Sequence, residues 1–309
     1  MTFYVESIKF ELGEIQIPVR DICLANGKSY ERLIKRSGFK NVYRTLKSAE
    51  VFFESAILEH VKLEQKDYVV FINQSLSSSI PGKVPKIFVN KWLNDSVGFL
   101  EISDGCTGFV RGLTIANALL ESNTTQRVHI VTCEKYSQFF DNSDESVSPI
   151  FSDAVSVTTL TKHGPHRLIG TNFKNSFDNR DKISTFTNGT GFEKMRMEGA
   201  QVLSWSTSEV PKSIQSLLTD FNLSIPEIRS WYLHQGSKIV VESIVDRLAI
   251  DGDNLFTAGA IGNTGSCSIP IMLSENAKRP EGNYFPNGFS ILCGFGIGLS
   301  AVTALIETT

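Results

Sequence analysis

The sequence predicts an α/β fold. Short apolar runs that read as strands alternate with longer helical patterns, and the same style recurs in the second half of the chain. A polar stretch over residues 161–180, broken by His163-Gly164-Pro165, separates the two. Residues 68–72 and 97–102 are strand-like, and residues 109–120 follow at once with apolar positions at helical spacing. Residues 127–133 and 155–160 give two further strands. In the second half, residues 231–233 form a short strand, residues 237–248 an amphipathic helix, and residues 263–276 a loop and then a helix. Asn287-Gly288 is a turn signal, with a strand over residues 289–295 after it. Segments 141–148 and 175–190 read as surface loops. The expected division is residues 1–160 and 161–309, with no repeat evident in the sequence itself.

Bulk properties narrow the function classes. With 41% hydrophobic and 20% charged residues over 309 positions, the chain can bury a large core and has no disorder signature. A formal net charge of −3 argues against a nucleic-acid binder. The start lacks the basic and apolar regions of a leader, and the apolar stretch over residues 291–306 is interrupted by glycines. The expectation is a cytoplasmic protein with no membrane span. Five cysteines without CxxC spacing fit reduced thiols, and five histidines without ligand spacing predict no metal.

Four short motifs carry chemistry. In Ser103-Asp104-Gly105-Cys106-Thr107-Gly108 a strand ends, a tight turn follows, and a helix starts around a cysteine. Backbone N–H groups at a helix N-terminus favour thiolate over thiol, the form that attacks a thioester. His234, in His234-Gln235-Gly236-Ser237, stands at a strand-to-helix corner, where α/β sites form. Asn263 sits in the glycine-flanked loop Gly262-Asn263-Thr264-Gly265-Ser266. Residues 293–300 (Cys-Gly-Phe-Gly-Ile-Gly-Leu-Ser) allow close backbone approach. Singly, each has a plainer reading: a packed cysteine, a satisfied histidine, a turn asparagine, a tight β-connection.

In this order the motifs resemble the β-ketoacyl-acyl-carrier-protein synthase III family over most of the chain. Lys35-Arg36-Ser37-Gly38-Phe39 and Met197-Glu198-Gly199 look like further family elements. The resemblance implies a thiolase fold of two similar βαβαβαββ halves in five layers, as a homodimer. It implies that Cys106 accepts an acyl group from an acyl-coenzyme A or acyl-carrier-protein thioester. The backbone N–H groups of Cys106 and Gly298 would form the oxyanion hole. His234 and Asn263 would stabilise the enolate formed as malonyl-carrier protein loses carbon dioxide. No metal and no cofactor are implied.

Departures from the family pattern bear on substrate recognition. Arg32 stands where the family often has an adenine-stacking tryptophan, and residues 142–148 are acidic where an arginine is expected. The basic residue after the His-Gln motif does not line up cleanly, with Lys238 the nearest candidate and Ile239 the alternative at its place. These predict a specialised lipid or secondary-metabolite enzyme, with Arg36 and Lys238 as substrate contacts and Lys35, Lys40 and Arg247 completing a basic patch for an acidic carrier. Residues 79–85 resemble the segment that lends a side chain to the partner's acyl tunnel, from Ile80 or Val84. The alternatives are acyl transfer to an oxygen, nitrogen or sulfur acceptor without condensation, and a non-catalytic partner subunit. The retained Cys106, His234 and Asn263 argue against the latter.

Overall fold

The structure is a computed structural model that describes residues 2–76, 96–122, 124–141, 143–187, 193–257, 259–279 and 282–309. Buried and exposed side chains alternate along β1 (Phe3–Leu12), the pattern of a strand with one covered face. Next come β2 (Ile15–Pro18), α1 (Val19–Ala25), α2 (Tyr30–Ser37), β3 (Asn41–Arg44) and α3 (Ala49–His60). Ser29 caps α2 by accepting the Arg32 N–H, and Gly38 ends it in the left-handed conformation. Then follow β4 (Tyr68–Asn73), β5 (Gly98–Ile102), α4 (Gly108–Glu121), β6 (Arg127–Glu134) and β7 (Ala154–Lys162). The second half contains β8 (His166–Asn175), β9 (Ile183–Thr187), β10 (Glu193–Met197), α5 (Gly199–Asp220) and β11 (Ile228–Leu233). It ends with α6 (Lys238–Leu248), β12 (Leu255–Phe256), α7 (Ser268–Ala277), β13 (Gly288–Gly296) and β14 (Ser300–Thr308).

Ten of these strands lie in the order β12-β11-β13-β14-β8-β1-β7-β6-β4-β5. The order divides at the centre, where β1 meets β8 through the pair Phe3–His166. Each side repeats one plan. β4 lies parallel to β5 and β6, as β11 lies parallel to β12 and β13. β7 lies antiparallel to β6 and β1, as β14 lies antiparallel to β13 and β8. The inner strands are fully covered and read as near-continuous apolar runs, as strands buried on both faces must.

Burial fixes the layers. Phe109, Leu113 and Leu120 of α4 and Ile269, Met272 and Leu273 of α7 pack with strand residues of both halves, among them Val70, Ile130, Leu292 and Val302. One outer face of strands is covered by Phe52, Phe53 and Ile57 of α3. The other is covered by Val210, Ile214 and Leu217 of α5 with Val240 and Ile244 of α6. The result is the five-layer thiolase arrangement.

Three parts differ from the sequence reading. The polar stretch over residues 161–180 holds β8, which pairs with β14 along its length. Its one shielded face rests on α5, with Gly170 against Phe221 and Leu217, so few apolar residues betray it. The loop read over residues 175–190 contains a 3-10 turn at Phe177–Asn179 and then β9, paired with β10. In segment 141–148, Val147 and Ser148 are buried, with Ser148 accepting a hydrogen bond from Arg44 at 2.9 Å. No helix among the described residues is long and apolar enough to cross a membrane.

Candidate functional site

Cys106 sits in the turn between β5 and α4. Asp104 staples that turn: its Oδ2 accepts the Thr107 hydroxyl at 2.8 Å and the Arg111 Nε–H at 2.6 Å. Cys106 precedes the helix proper, since Thr107 is the N-cap and Gly108 the first helical residue. Strand β13 crosses directly over it. A Cβ on Gly294 would lie 2.5 Å from the Cys106 carbonyl oxygen, and one on Gly296 would lie 2.8 Å from the sulfur. These glycines are two apart and so face the same way, which is why the motif alternates glycine with other residues.

His234 follows β11 and continues its pairing: its N–H donates to the Cys293 carbonyl at 2.9 Å. The ring stands edge-on to Phe295, with centroids 5.4 Å apart. Gln235 locks the corner, donating from its backbone to the Ser268 hydroxyl and from Nε2 to the Leu233 carbonyl. Asn263 is held from the other half. It donates its N–H to the Ile150 carbonyl at 2.7 Å and accepts from the Ser152 N–H at 2.9 Å. Its Oδ1 takes the Gly265 N–H at 2.9 Å, which fixes the amide so that Nδ2 is the group left to donate elsewhere.

The three side chains line one cavity of about 230 Å³, walled by apolar residues including Phe151, Ile183, Val202, Leu203 and Val240. Cys106, His234 and Asn263 are respectively 5%, 2% and 5% exposed, so the three groups meet in a dry environment. Burial pushes the Cys106 thiol up to about 12; Glu134 and Asp104 add to it, and the Ile297 backbone amide pulls it down. Desolvation therefore outweighs the helix-terminus effect expected from the sequence, and burial favours the thiol form of Cys106. Burial also lowers His234 to about 3, so the imidazole is neutral and presents one N–H donor. Among the described residues its Nδ1 has no hydrogen-bond partner.

The remaining sequence candidates divide. Arg36 lines the cavity and also an adjoining one of about 190 Å³ that holds Lys28, Arg32 and Glu145. The acidic loop is partly neutralised there, by a Lys28–Glu145 ion pair at 2.5 Å. Lys238 does not line the cavity; it faces Glu242 at 3.5 Å, and its neighbour Ile239 lines the wall instead. Gly298 is also off the wall and packs on Ser300. The lining residues are Gly296 and Ile297, and it is the Ile297 amide that reaches the sulfur. The N–H that reaches the sulfur thus lies one residue before the Gly298 expected from the sequence. Ile80 and Val84 lie outside the described residues. Sequence reasoning missed Phe295, Ile297 and the Phe151–Asn263 bridge between the halves. The period-two glycines at 294 and 296 were the available signal for the first two.

Among the described residues no group of three or more His, Cys, Asp or Glu side chains could hold a metal ion. Two sequence models match the chain. The 3-oxoacyl-[acyl-carrier-protein (ACP)] synthase III model matches residues 100–176, and the model of that enzyme's C-terminal part matches residues 218–308. The β-ketoacyl-[acyl-carrier-protein] synthase III of Lactococcus lactis subsp. cremoris (strain MG1363) is 27% identical, covering 78% of this chain and 77% of its own. Synthase III 2 of Bacillus cereus is 26% identical, covering 90% and 89%. The crystal structure of 3-oxoacyl-(acyl carrier protein) synthase III from Pseudomonas aeruginosa PAO1 superposes with a TM-score of 0.85 over 100% of this chain and 98% of its own, at 19% identity. With both matched segments carrying the motif residues around the cavity, the chain belongs to the β-ketoacyl-acyl-carrier-protein synthase III family of condensing enzymes.

Proposed function

We propose that the chain forms an acyl-Cys106 intermediate and condenses it decarboxylatively with a malonyl-carrier protein to give a β-ketoacyl product. The observation that carries this reading is the convergence of Cys106, His234 and Asn263 on one dry cavity. In the first step the Cys106 sulfur bonds the acyl carbon of an acyl-coenzyme A or acyl-carrier-protein thioester. The donor's C–S bond breaks, and the thiol proton leaves on the departing thiol. The N–H groups of Cys106 and Ile297 hold the oxyanion of the tetrahedral intermediate. In the second step the malonyl carboxylate leaves as carbon dioxide. The His234 ring N–H and Asn263 Nδ2–H stabilise the enolate, whose carbon bonds the acyl carbon. The cysteine sulfur departs and regains a proton from solution.

The first half supplies the nucleophile and the second half supplies both donors, so neither is complete alone. A homodimer and a specialised pathway are part of this proposal. Strand β5 stands at the sheet edge, with backbone groups on one side available to a second copy. Arg32 and Ile239 at the cavities depart from the family pattern for coenzyme A, which favours a different donor or acceptor.

Intact mass after incubation with a panel of acyl thioesters tests the reading. The expected result is a gain of one acyl group that is absent from Cys106→Ala, and carbon dioxide release on adding malonyl-carrier protein. Acyl labelling without carbon dioxide release would favour transfer to an oxygen, nitrogen or sulfur acceptor. No labelling by any donor would sink the covalent step.

A further inference from the structure

Glu134, the last residue of β6, is fully buried beside the nucleophile, and the chemistry above does not use it. Its Oε1 accepts the Ser266 hydroxyl at 2.5 Å, while Oε2 is sealed from water without a hydrogen bond of good geometry. Ser266 belongs to the loop that carries Asn263, and its Cβ lies 3.6 Å from where a Cβ on Gly108, at the start of α4, would stand. Gln74, beyond the end of the neighbouring β4, presses on Gly105 and accepts the Tyr136 hydroxyl at 3.3 Å. The carboxyl therefore sits where the nucleophile turn, the Asn263 loop and the ends of β4 and β6 meet. The titratable groups facing it are Asp104 and Cys106 from the nucleophile turn, Tyr136 from the segment after β6, Cys267 from the Asn263 loop, and Cys133 on its own strand. Of these, Asp104 is already paired with Arg111.

We propose that Glu134 is a positioning residue: its neutral carboxyl ties the Asn263 loop to the floor beneath Cys106, and its ionisation suppresses the nucleophile. A neutral acid suits this site, because a buried anion held only by the Ser266 and Tyr136 hydroxyls and backbone amides, with no cation beside it, is costly. Burial raises the carboxyl to about 8, with the Ser266 hydroxyl and nearby backbone amides opposing it. Above that pH a negative charge faces a thiol that must lose its proton, and like charge makes that loss harder. The inference deepens the condensing reading but is tested without it.

The experiment is alkylation of Cys106 by iodoacetamide from pH 6 to 10, located by peptide mass with Cys106→Ala as the blank. In the native protein the rate is expected to climb with pH and then flatten near pH 8. Glu134→Gln keeps a group of the same shape against Ser266 and removes the titration. Its rate should match the native rate at pH 6.5, climb without a break, and exceed it at pH 9 on the order of tenfold, the effect of one pKa unit. Ser266→Ala removes a donor that favours the anion, so its break should move to higher pH; this variant decides the matter if Glu134→Gln does not fold. A break that persists in Glu134→Gln, or stays put in Ser266→Ala, overturns the proposal. Failure to label with any acyl donor while these breaks behave as stated would sink the condensing reading alone.

Discussion

Gly296→Ala perturbs the site by a single methyl group whose consequences can be worked from the structure. The added Cβ would lie 2.8 Å from the Cys106 sulfur and 3.0 Å from the Cys106 Cβ, and the backbone φ of +152° is one that side-chain-bearing residues rarely adopt. Backbone strain and overpacking each cost roughly 1–3 kcal/mol, so a loss of about 3 kcal/mol is expected. At about 2.1 cal/mol/K per residue over this chain length, that lowers the melting temperature by about 5 °C. Function should suffer more than stability. Restoring ordinary contact moves the sulfur by roughly 0.6 Å, and displacements near 1 Å cost about a hundredfold in rate, so acylation should fall about ten- to a hundredfold. Gly252→Ala is the control, since nothing lies within 4 Å of its Cβ. The assay is the rate of acyl mass gain beside a thermal melt. A Gly296→Ala protein that melts and acylates like the native one would refute the claim that β13 is built to clear the nucleophile.

Three further outcomes are expected. Asn263→Ala should lose about a hundredfold or more in carbon dioxide release from malonyl-carrier protein, the worth of one oxyanion donor, while still gaining the acyl mass. Asp67 is buried, takes Arg127 at 2.8 Å and 3.1 Å and faces His129 at 3.1 Å; Asp67→Asn leaves Arg127 only the exposed Glu64 carboxylate at 3.3 Å and should cost about 2 kcal/mol, read by urea unfolding. Acid should destabilise the fold in two stages, measured as unfolding free energy against pH. Unfolded imidazoles take protons near pH 6.5, whereas burial lowers His166 to about 4 and His234 to about 3. The unfolded chain thus binds more protons in that window, and stability present above it drains at up to about 1.4 kcal/mol per pH unit per group as pH falls. Asp67, lowered to about 2, adds a second loss as pH falls below the ordinary carboxylate range towards that value. Glu134, raised to about 8, gains stability over the same fall and offsets one imidazole, so the curve is read in Glu134→Gln, where a flat line from pH 6 to 4 would refute the histidine assignment.

The parts legible in the sequence are those where one physical requirement dominates. Strands buried on both faces, such as β4 and β13, need unbroken apolar runs, and corners that pass close to other backbone need glycine, so Cys106, His234 and Asn263 could be found from their settings. Helix α5 could not. Its buried residues Val210, Ile214, Leu217 and Leu218 are diluted by Ser204, Ser206, Ser208 and Ser213 and interrupted by Pro211, so the helical stripe is faint. Strand β8 is masked for a related reason, because its neighbours β14 and α5 supply the apolar surface that it lacks. The Ile297 amide was missed because sequence marks the glycines, whereas reach to the Cys106 sulfur depends on the direction of an N–H in the turn between them. Glu134 had no local signal: a charged residue ending a strand looks exposed until two other segments are folded over it.

The matching strand order on the two sides explains why one corner of the molecule collects this chemistry. β4 corresponds to β11, β5 to β12 and β6 to β13, so the residues beyond their ends are corresponding positions. Gln74 then answers to His234, the turn at Asp104–Cys106 to the loop at Asn263–Cys267, and Glu134 to Gly294. Each turn feeds one of the two central helices, α4 and α7, whose packing against both sets of strands brings the six positions together. Cys106 and Asn263 both line the cavity, whereas in the other two pairs the first-half member braces the site from behind. His234 meets the cavity, whereas Gln74 supports Gly105; Gly294 clears the Cys106 carbonyl, whereas Glu134 holds Ser266. A substitution on the bracing side should therefore act on the reacting side through geometry and charge, changing pH dependence before it changes substrate preference. On that logic Gln74→Ala should slow acylation by loosening the Cys106 turn while leaving the order of preference among acyl donors intact. A change in that order would mean that Gln74 touches substrate, and that the two sides are not divided as argued.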